Sequence, residues 1–444
     1  MATILITHGI PPAGREALQG HTLMMPEPLS AYTMQELKNV NPLADAGMSV
    51  VILETSPGAS HACAGIATLL CAPLFQRIEA SRGAEAAASY AEALSVQLRT
   101  LASSGISYIR ETSVYAYART EDDLPMLENQ HTLLNRLGIP ARYAPDAGGC
   151  PFPVERSLLL DQQVILDIPR WIAALRGSIR RSGGRIYPDS QVIALEDTRV
   201  FTAHGSLEAP RLILASGKPL GLRSKPLLAL MESRRILRCE LSGGYPLHAC
   251  QISADGRFTL RPAAFGATLT ADGGRVGTGG TCKTLQRFLS ANLPDWQLEA
   301  FTCSQEIFPT DGLPVIGSLP SSRALFACGY SHQGILGAMH AAQVLTRRIL
   351  GRNVPEDSLY SPDRTLSRHA TFPALRRLRR LYAANCLRRT APACPHCRCR
   401  LRYFAPARHW ECAACGSSYS MLGHVITGPG TQSARVSTRQ RPDI

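Results

Sequence analysis

DGLPVIGSLPSSRALFACGYSHQGILGAMHAAQVLTRRILG, residues 311–351, reads as an apolar strand, a turn bounded by Gly329 and Gly334, and then a helix. Ile335, Leu336, Met339, Val344, Leu345 and Ile349 give that helix an imperfect apolar face. A helix starting near Gly334 turns free N–H groups and the positive end of its dipole toward the preceding turn, which favours negative charge there. The two glycines let backbone approach whatever lies at that end. Asp311 and Gly312 open the stretch with ordinary turn chemistry.

Working outward, LADAGMSVVILETSPGAS (43–60) is a helix end, a turn at Gly47 and a continuous apolar strand of the buried parallel kind, with Glu54 at its carboxyl end. RLILASG (211–217) is an apolar strand, stopped by Gly217. Between them lie a helix over 90–101, a strand then a helix within 111–141, and a helix ended by Gly183 and Gly184 before the strand that carries Val192. Residues 3–7 read as a strand, 12–20 as a short helix, 21–25 as a strand and 33–40 as a helix.

At 444 residues and 48.0 kDa, with 45% hydrophobic residues and a mean hydropathy of −0.04, the chain has room for two or three domains and a large core. No run nears the roughly 20 apolar residues of a membrane helix, and MATILITHGI lacks a basic leader, so a cytoplasmic protein without a membrane partner is expected. The net charge of +13 is local. Residues 364–444 hold fifteen arginines and two acids, which accounts for the whole excess. RRLRRLYAANCLRR (376–389) is helix-compatible and its single aromatic, Tyr382, does not make the interleaved stacking surface that nucleic acid requires, so it reads as a solvated basic linker and nucleic acid is not an expected partner. GGRVGTGGTCKT (273–284) ends like a phosphate loop, but Cys282 stands where that loop requires glycine.

Nine of the 14 cysteines are scattered like small buried hydrophobes. The other five fall in CPHCRCRLRYFAPARHWECAACGSSYSMLGHVITGPG (394–430). Cys394/Cys397 and Cys412/Cys415 form two CxxC pairs 14 residues apart, the spacing of two facing knuckles that bring four thiolates to one tetrahedral ion, as in a zinc ribbon.

CPH, the Trp-Glu-Cys turn, CGSSY and the Gly428-Pro429 loop also resemble a Rieske domain fused to flavin oxidoreductases. That resemblance implies a 2Fe-2S cluster on Cys394, His396 and Cys412, with Cys415 where the second histidine belongs. Zinc, with Cys397 completing the set, is the alternative. From about 43 to 365 the collinear segments, ending in 311–351, resemble the FAD-dependent D-amino-acid oxidase superfamily. The implied fold is α/β (α+β): an FAD/NAD(P)-binding-type dinucleotide fold interleaved with an antiparallel-sheet substrate domain, plus a small all-β module.

For FAD, the resemblance implies ribose contact at Glu54, main-chain contact with adenine at Val192, and close backbone at Gly217. It puts Asp311 near the ribityl chain, and Gly329, Gly334 and Ile335 at the flavin edge. Arg261 in FTLRPAAF is the candidate grip for a substrate carboxylate, with Tyr330 and His332 near the flavin. The implied activity is FAD-dependent oxidation of a small amine or amino acid, with electrons passing onward through the metal centre; the acceptor is not named by the sequence.

The first forty residues resemble the start of D-2-hydroxyacid dehydrogenases instead. Residues 26–46 contain no glycine, and Gly9 and Gly14 lie forty or more residues before Glu54, where the family spaces its phosphate loop about twenty residues from that acid. The expected organisation is a dehydrogenase-like start over 1–40 replacing the phosphate-loop unit, an oxidoreductase domain over 41–370, a basic linker over 371–390 and the metal module over 391–444. The alternative is a rearranged, inactive relative whose zinc ribbon serves structure or partner binding.

Overall fold

A computed structural model describes residues 2–6, 48–54, 64–71, 74–218, 222, 224–244, 247–263, 266–278, 282–319, 322–364, 368–383 and 390–437. The helix expected at 12–20, the strand at 21–25 and the helix at 33–40 lie outside the described residues.

In chain order the first half contributes β1 (Ala2–Ile6), β2 (Ser49–Leu53), β3 (Ile66–Ala67), α1 (Leu74–Arg82), α2 (Ala84–Ala102), β4 (Ile109–Ala118), α3 (Leu124–Arg136), β5 (Arg142–Ala144), β6 (Arg156–Leu166) and α4 (Ile168–Arg181). Then come β7 (Arg185–Tyr187), β8 (Val192–Glu196), β9 (Arg199–Thr202), β10 (Gly205–Glu208), β11 (Arg211–Leu214), α5 (Lys225–Leu230) and β12 (Met231–Gly243). They are followed by β13 (Cys250–Ser253), β14 (Phe258–Ala263), β15 (Gly266–Arg275), α6 (Lys283–Asn292), β16 (Trp296–Pro309), β17 (Val315–Ser318), β18 (Leu325–Cys328) and α7 (Gly334–Ile349). The chain ends in α8 (Arg368–Ala383), β19 (Arg402–Phe404), β20 (His409–Glu411), β21 (Ser418–Ser420) and β22 (Val425–Thr427).

The apolar run SVVIL does form a parallel strand, and RLIL is another strand of the same six-stranded sheet, ordered β17-β18-β11-β1-β2-β7, with β17 antiparallel at the edge. β1 runs between β11 and β2 in parallel register, Ala2 opposite Ser49 and Ile6 opposite both Leu53 and Leu214. The carboxyl ends of these strands therefore point the same way, where open parallel sheets bind ligands. A nine-stranded, mostly antiparallel sheet supplies the second layer, β16-β12-β15-β14-β13-β4-β6-β3 with β5 on β6. A four-stranded meander, β19 to β22, forms the end module.

Local chemistry sets the helix bounds. α4 starts at Asp167, whose side chain accepts the Arg170 N–H, has Pro169 in its first turn, and stops before Gly183 in the left-handed region. In α2, Ala87, Tyr90, Ala91, Leu94, Leu98 and Leu101 recur at helical spacing and are buried. α7 is buried almost all round, so its apolar face is wider than the sequence pattern suggests.

His340 on α7 meets Tyr360 edge-on at 5.1 Å between ring centres and Tyr90 at 6.4 Å. Burial, with Arg347 nearby, pushes its pKa down to about 4. The unfolded chain therefore takes up a proton on this histidine first as pH falls below about 6.5, and folded-state stability drops by about 3 kcal/mol between there and pH 4. Urea denaturation at stepped pH should show that slope, and His340→Leu should flatten it.

Candidate functional site

The first site lies at the carboxyl ends of the parallel strands. Glu54 directly follows β2; its N–H donates to Tyr187 O at 2.9 Å, and its own carbonyl accepts the Ser190 N–H at 2.7 Å. The carboxylate is buried and takes an ion pair from Arg176 on α4. Gly217, next after the strand β11 and Ala215–Ser216, has φ 68°, and Gly329 after β18 has φ 83° with its missing Cβ only 2.5 Å from the Pro309 ring. A side chain at 329 would force Pro309 away.

Ser331 (φ 52°) and His332 (φ 69°) follow, two successive non-glycine residues in the left-handed region, each at a cost of about 1–2 kcal/mol. Glu306 holds the turn: His332 N–H donates to its Oε1 at 2.7 Å and His332 Nδ1 lies 3.3 Å from its Oε2. The His332 ring stands edge-on to Phe308 at 4.6 Å. Gly334 and Ile335 then open α7, with Ile335 buried.

This turn walls a cavity of about 910 Å³. Other walls come from residues 64–71, from Leu74 and Arg77 of α1, from β12 and β15, and from Phe372, Arg377 and Arg380 of α8. The segment expected to be a solvated linker thus contributes a helix to the cavity. Of the three expected catalytic residues, His332 faces it and the other two do not.

Arg261 donates from Nη1 to Ala64 O and from Nη2 to Leu166 O, both at 2.9 Å, so its guanidinium clamps backbone beside Gly65 instead of gripping a carboxylate. Tyr330 is buried beneath α7, where a Cβ on Gly337 would sit 2.9 Å from its ring. Its hydroxyl has no partner among the described residues, and burial raises its pKa well above the usual phenol range. Asp311 is held by an ion pair within its loop. Its fully buried carboxylate is gripped by Arg364 at 2.8 Å on each oxygen, and Arg364 donates further to Pro314 O and Leu313 O, so the pair pins the loop. Val192 is a buried valine of β8 opposite Thr202, beside a register shift.

The second site is the cysteine quartet. The Sγ atoms of Cys394, Cys397, Cys412 and Cys415 all lie within 4.8 Å of one another, with Cys394–Cys415 at 3.6 Å and Cys397–Cys412 at 3.3 Å. A tetrahedral ion with metal–sulfur bonds of about 2.3 Å places its sulfurs about 3.8 Å apart, so the quartet fits one ion. The two turns match: Arg398 N–H donates to Cys394 O at 2.8 Å and Gly416 N–H to Cys412 O at 2.9 Å, with Arg398 (φ 62°) and Gly416 (φ 78°) both left-handed.

His396 is not in the convergent group, contrary to the expected cysteine–histidine set. A two-iron cluster holds its two ligand pairs at opposite ends, farther apart than this quartet spans, so these residues do not fit one. Hydrogen bonds from Cys397, Cys412 and Cys415 push the Cys394 thiol far down, and Tyr419 Oη lies 3.2 Å from it. Sequence reasoning gave no role to Lys218, whose Nζ would sit 3.2 Å from a Cβ on Gly416; burial lowers its pKa to about 8, and Cys415 opposes that shift. Its position directly after Gly217 was the available signal.

The module docks through Glu411. Its carboxylate takes Arg235 Nε at 2.9 Å and Nη2 at 3.0 Å, the Gly277 N–H at 2.6 Å and His409 Nε2 at 3.1 Å. Burial opposes ionisation, yet bonds from His409 and Arg235 outweigh it and hold Glu411 below the usual carboxylate range. Arg235 also lies over the Phe404 ring at 4.2 Å. Gly277 allows the approach, since a Cβ there would reach 2.4 Å from Ala413 N. Among the described residues no helix is long and apolar enough to cross a membrane.

Comparison with known proteins agrees with this geometry. Glycine oxidase from Geobacillus kaustophilus superposes with a TM-score of 0.58 at 18% identity, covering 82% of this chain and 99% of that one. L-proline dehydrogenase from P. horikoshii does so at 0.56 and 14% identity, covering 81% and 96%. Iminodiacetate oxidase (IdaA) from Chelativorans sp. BNC1 gives 0.55 and 17%, covering 81% and 98%. At such identities these likenesses establish the fold. A Bacillus subtilis (strain 168) relative that carries the name of a Rieske 2Fe-2S iron-sulfur protein, YhfW, is 20% identical over 375 residues, 72% of this chain and 73% of that protein. The profile of the FAD dependent oxidoreductases (DAO) matches residues 42–348, more than half of the sequence, and the chain belongs to that family.

Proposed function

We propose that the chain oxidises a small amine or amino acid at an FAD lying along the carboxyl ends of β1, β2 and β11, with the ring edge at the Ser331–Gln333 turn. The observation that carries this reading is the cavity, whose wall joins that turn, which follows β18 of the parallel sheet, to residues 64–71 and to strands of the nine-stranded sheet. β1 supports it as well: although its sequence resembles another family, it fills the strand position next to the ribose-acid strand.

Among the described residues, those at the ribose and ring ends fit the cofactor, while residues 7–47, the stretch before the ribose acid, lie outside them. Glu54 accepts from ribose hydroxyls, exchanging its Arg176 partner or sharing with it. The first turn of α7 places positive dipole at the ring edge, and Glu306 and Phe308 fix His332 against the cavity. Bound FAD supplies a hydride acceptor for the carbon beside the substrate nitrogen. The quartet is read as a single-ion site, zinc by its donor set, that shapes and docks the module; no electron path is assigned to it.

Anaerobic addition of amines and amino acids to the FAD-loaded protein tests the proposal. Bleaching of the flavin bands by at least one of them is expected, and none responding across a broad panel contradicts it. Glu54→Gln should weaken FAD binding about tenfold, the equivalent of one hydrogen bond to an ionised group, read by fluorescence titration. The Arg176–Glu54 pair favours a second reading, an inactive relative with the ribose acid already engaged. In that case the parent takes up no FAD.

A further inference from the structure

The cavity wall carries more positive charge than its own acids neutralise. Among the described residues, seven arginines line it against Glu232, Asp255 and Asp272. Asp255 is taken by Arg257, and Asp272 by Arg234. Glu232 alone serves Arg234 at 3.0 Å, Arg275 at 2.7 Å and Arg377. Arg77, on α1, faces the same space, and no carboxylate among the described residues pairs with it. Burial and the neighbouring Arg234 lower its pKa, with Glu232 too weak to offset them. Arg376 and Arg380 add two further guanidiniums from α8.

We infer that the cavity takes a multiply anionic ligand, an amine bearing two carboxylates, with Arg77 gripping the carboxylate remote from the reacting nitrogen. A guanidinium facing a cavity without an acid partner, next to Arg234, Arg275 and Arg377, which share two carboxylates between them, gains most from a planar anion that accepts two parallel hydrogen bonds. The inference rests on the proposed amine oxidation for the ligand's nitrogen, and on the charge arrangement alone for its two acids. It also gives α8 a task, because Arg377, Arg380 and Leu381 line the cavity while Tyr382, next along the helix, packs against the same core as Cys397.

Calorimetric titration of the full-length protein with iminodiacetate, aspartate and glycine, at fixed ionic strength, tests it without turnover. The two dicarboxylates should bind at least about tenfold more tightly than glycine. Arg77→Gln should reduce that preference to about twofold or less, and Arg77→Lys should leave an intermediate preference, which shows that the fold is intact. Equal binding of all three, no binding of any, or an unchanged preference in Arg77→Gln overturns the inference. So does an Arg77→Gln variant that loses only FAD uptake, because the anion is then a cofactor phosphate. Flavin absorbance is recorded on the same samples. A dicarboxylate preference in protein that takes up no FAD sinks the oxidase reading and leaves the anion site standing.

Discussion

Cys412→Ser is expected to strip the carboxyl-terminal module of its ion and unfold it. Structural zinc contributes about 10–16 kcal/mol of apparent binding energy to small modules of this kind, and that energy is their folding energy. The meander here has four strands of three residues each and could bury little core without a cross-link. Cys412 is fully buried and central, with its N–H bonded to Ser417 O and its sulfur 3.3 Å from Cys397. Metal analysis should find about one zinc and no iron per parent chain, and far less zinc in the variant. Limited proteolysis should then cut between residues 390 and 437, the span that the module occupies. A variant that keeps both its ion and its protease resistance would remove the quartet from the account. Because Tyr382 of α8 and Cys397 pack against the same core, loss of the ion should also loosen the cavity wall.

The second large effect is expected at the dock. Glu411→Ala leaves Arg235, 1% exposed, as an uncompensated charge between the nine-stranded sheet and the module. Removing one partner of a buried pair costs about 3–5 kcal/mol, whereas replacing both with apolar groups is often neutral. Urea denaturation should therefore show Glu411→Ala far less stable than the parent, and Arg235→Met with Glu411→Leu less damaged than the single change. A loss below about 1 kcal/mol in Glu411→Ala would mean that the pair is solvated and the module free to move.

What could be read from the sequence follows the range of the interactions involved. SVVIL announces a parallel strand because a continuous apolar run marks a strand buried on both faces; RLIL and LFAC read as strands, and Gly217 and Gly329 mark where those strands must stop. The cysteine quartet was readable for the same local reason: each CxxC turn closes within five residues. His396 was misassigned because CPHC offers both a Cys-x-His and a Cys-x-x-Cys reading, and only the facing Cys412/Cys415 turn decides between them.

Arg261 misled in another way, and the ion pair of Asp311 was out of reach as well. Both are polar residues in apolar surroundings, a pattern shared by catalytic groups and by buried structural clamps, and their partners Ala64, Leu166 and Arg364 stand 53 to 197 positions away in the chain. The arginines that converge on Glu232 come from β12, β15 and α8, so no spacing rule brings them together. The place of β1 was equally hidden. Its slot between β11 and β2 is a matter of pairing, and the more than forty residues that separate it from β2 carry no sign of it.

The central claim is an FAD site built on that sheet, and the absorption spectrum of the purified full-length protein tests it most directly. The account predicts flavin bands that intensify to about one FAD per chain on titration, with no sulfur-to-iron charge-transfer absorption. A colourless protein that takes up no FAD at saturating concentration would contradict it.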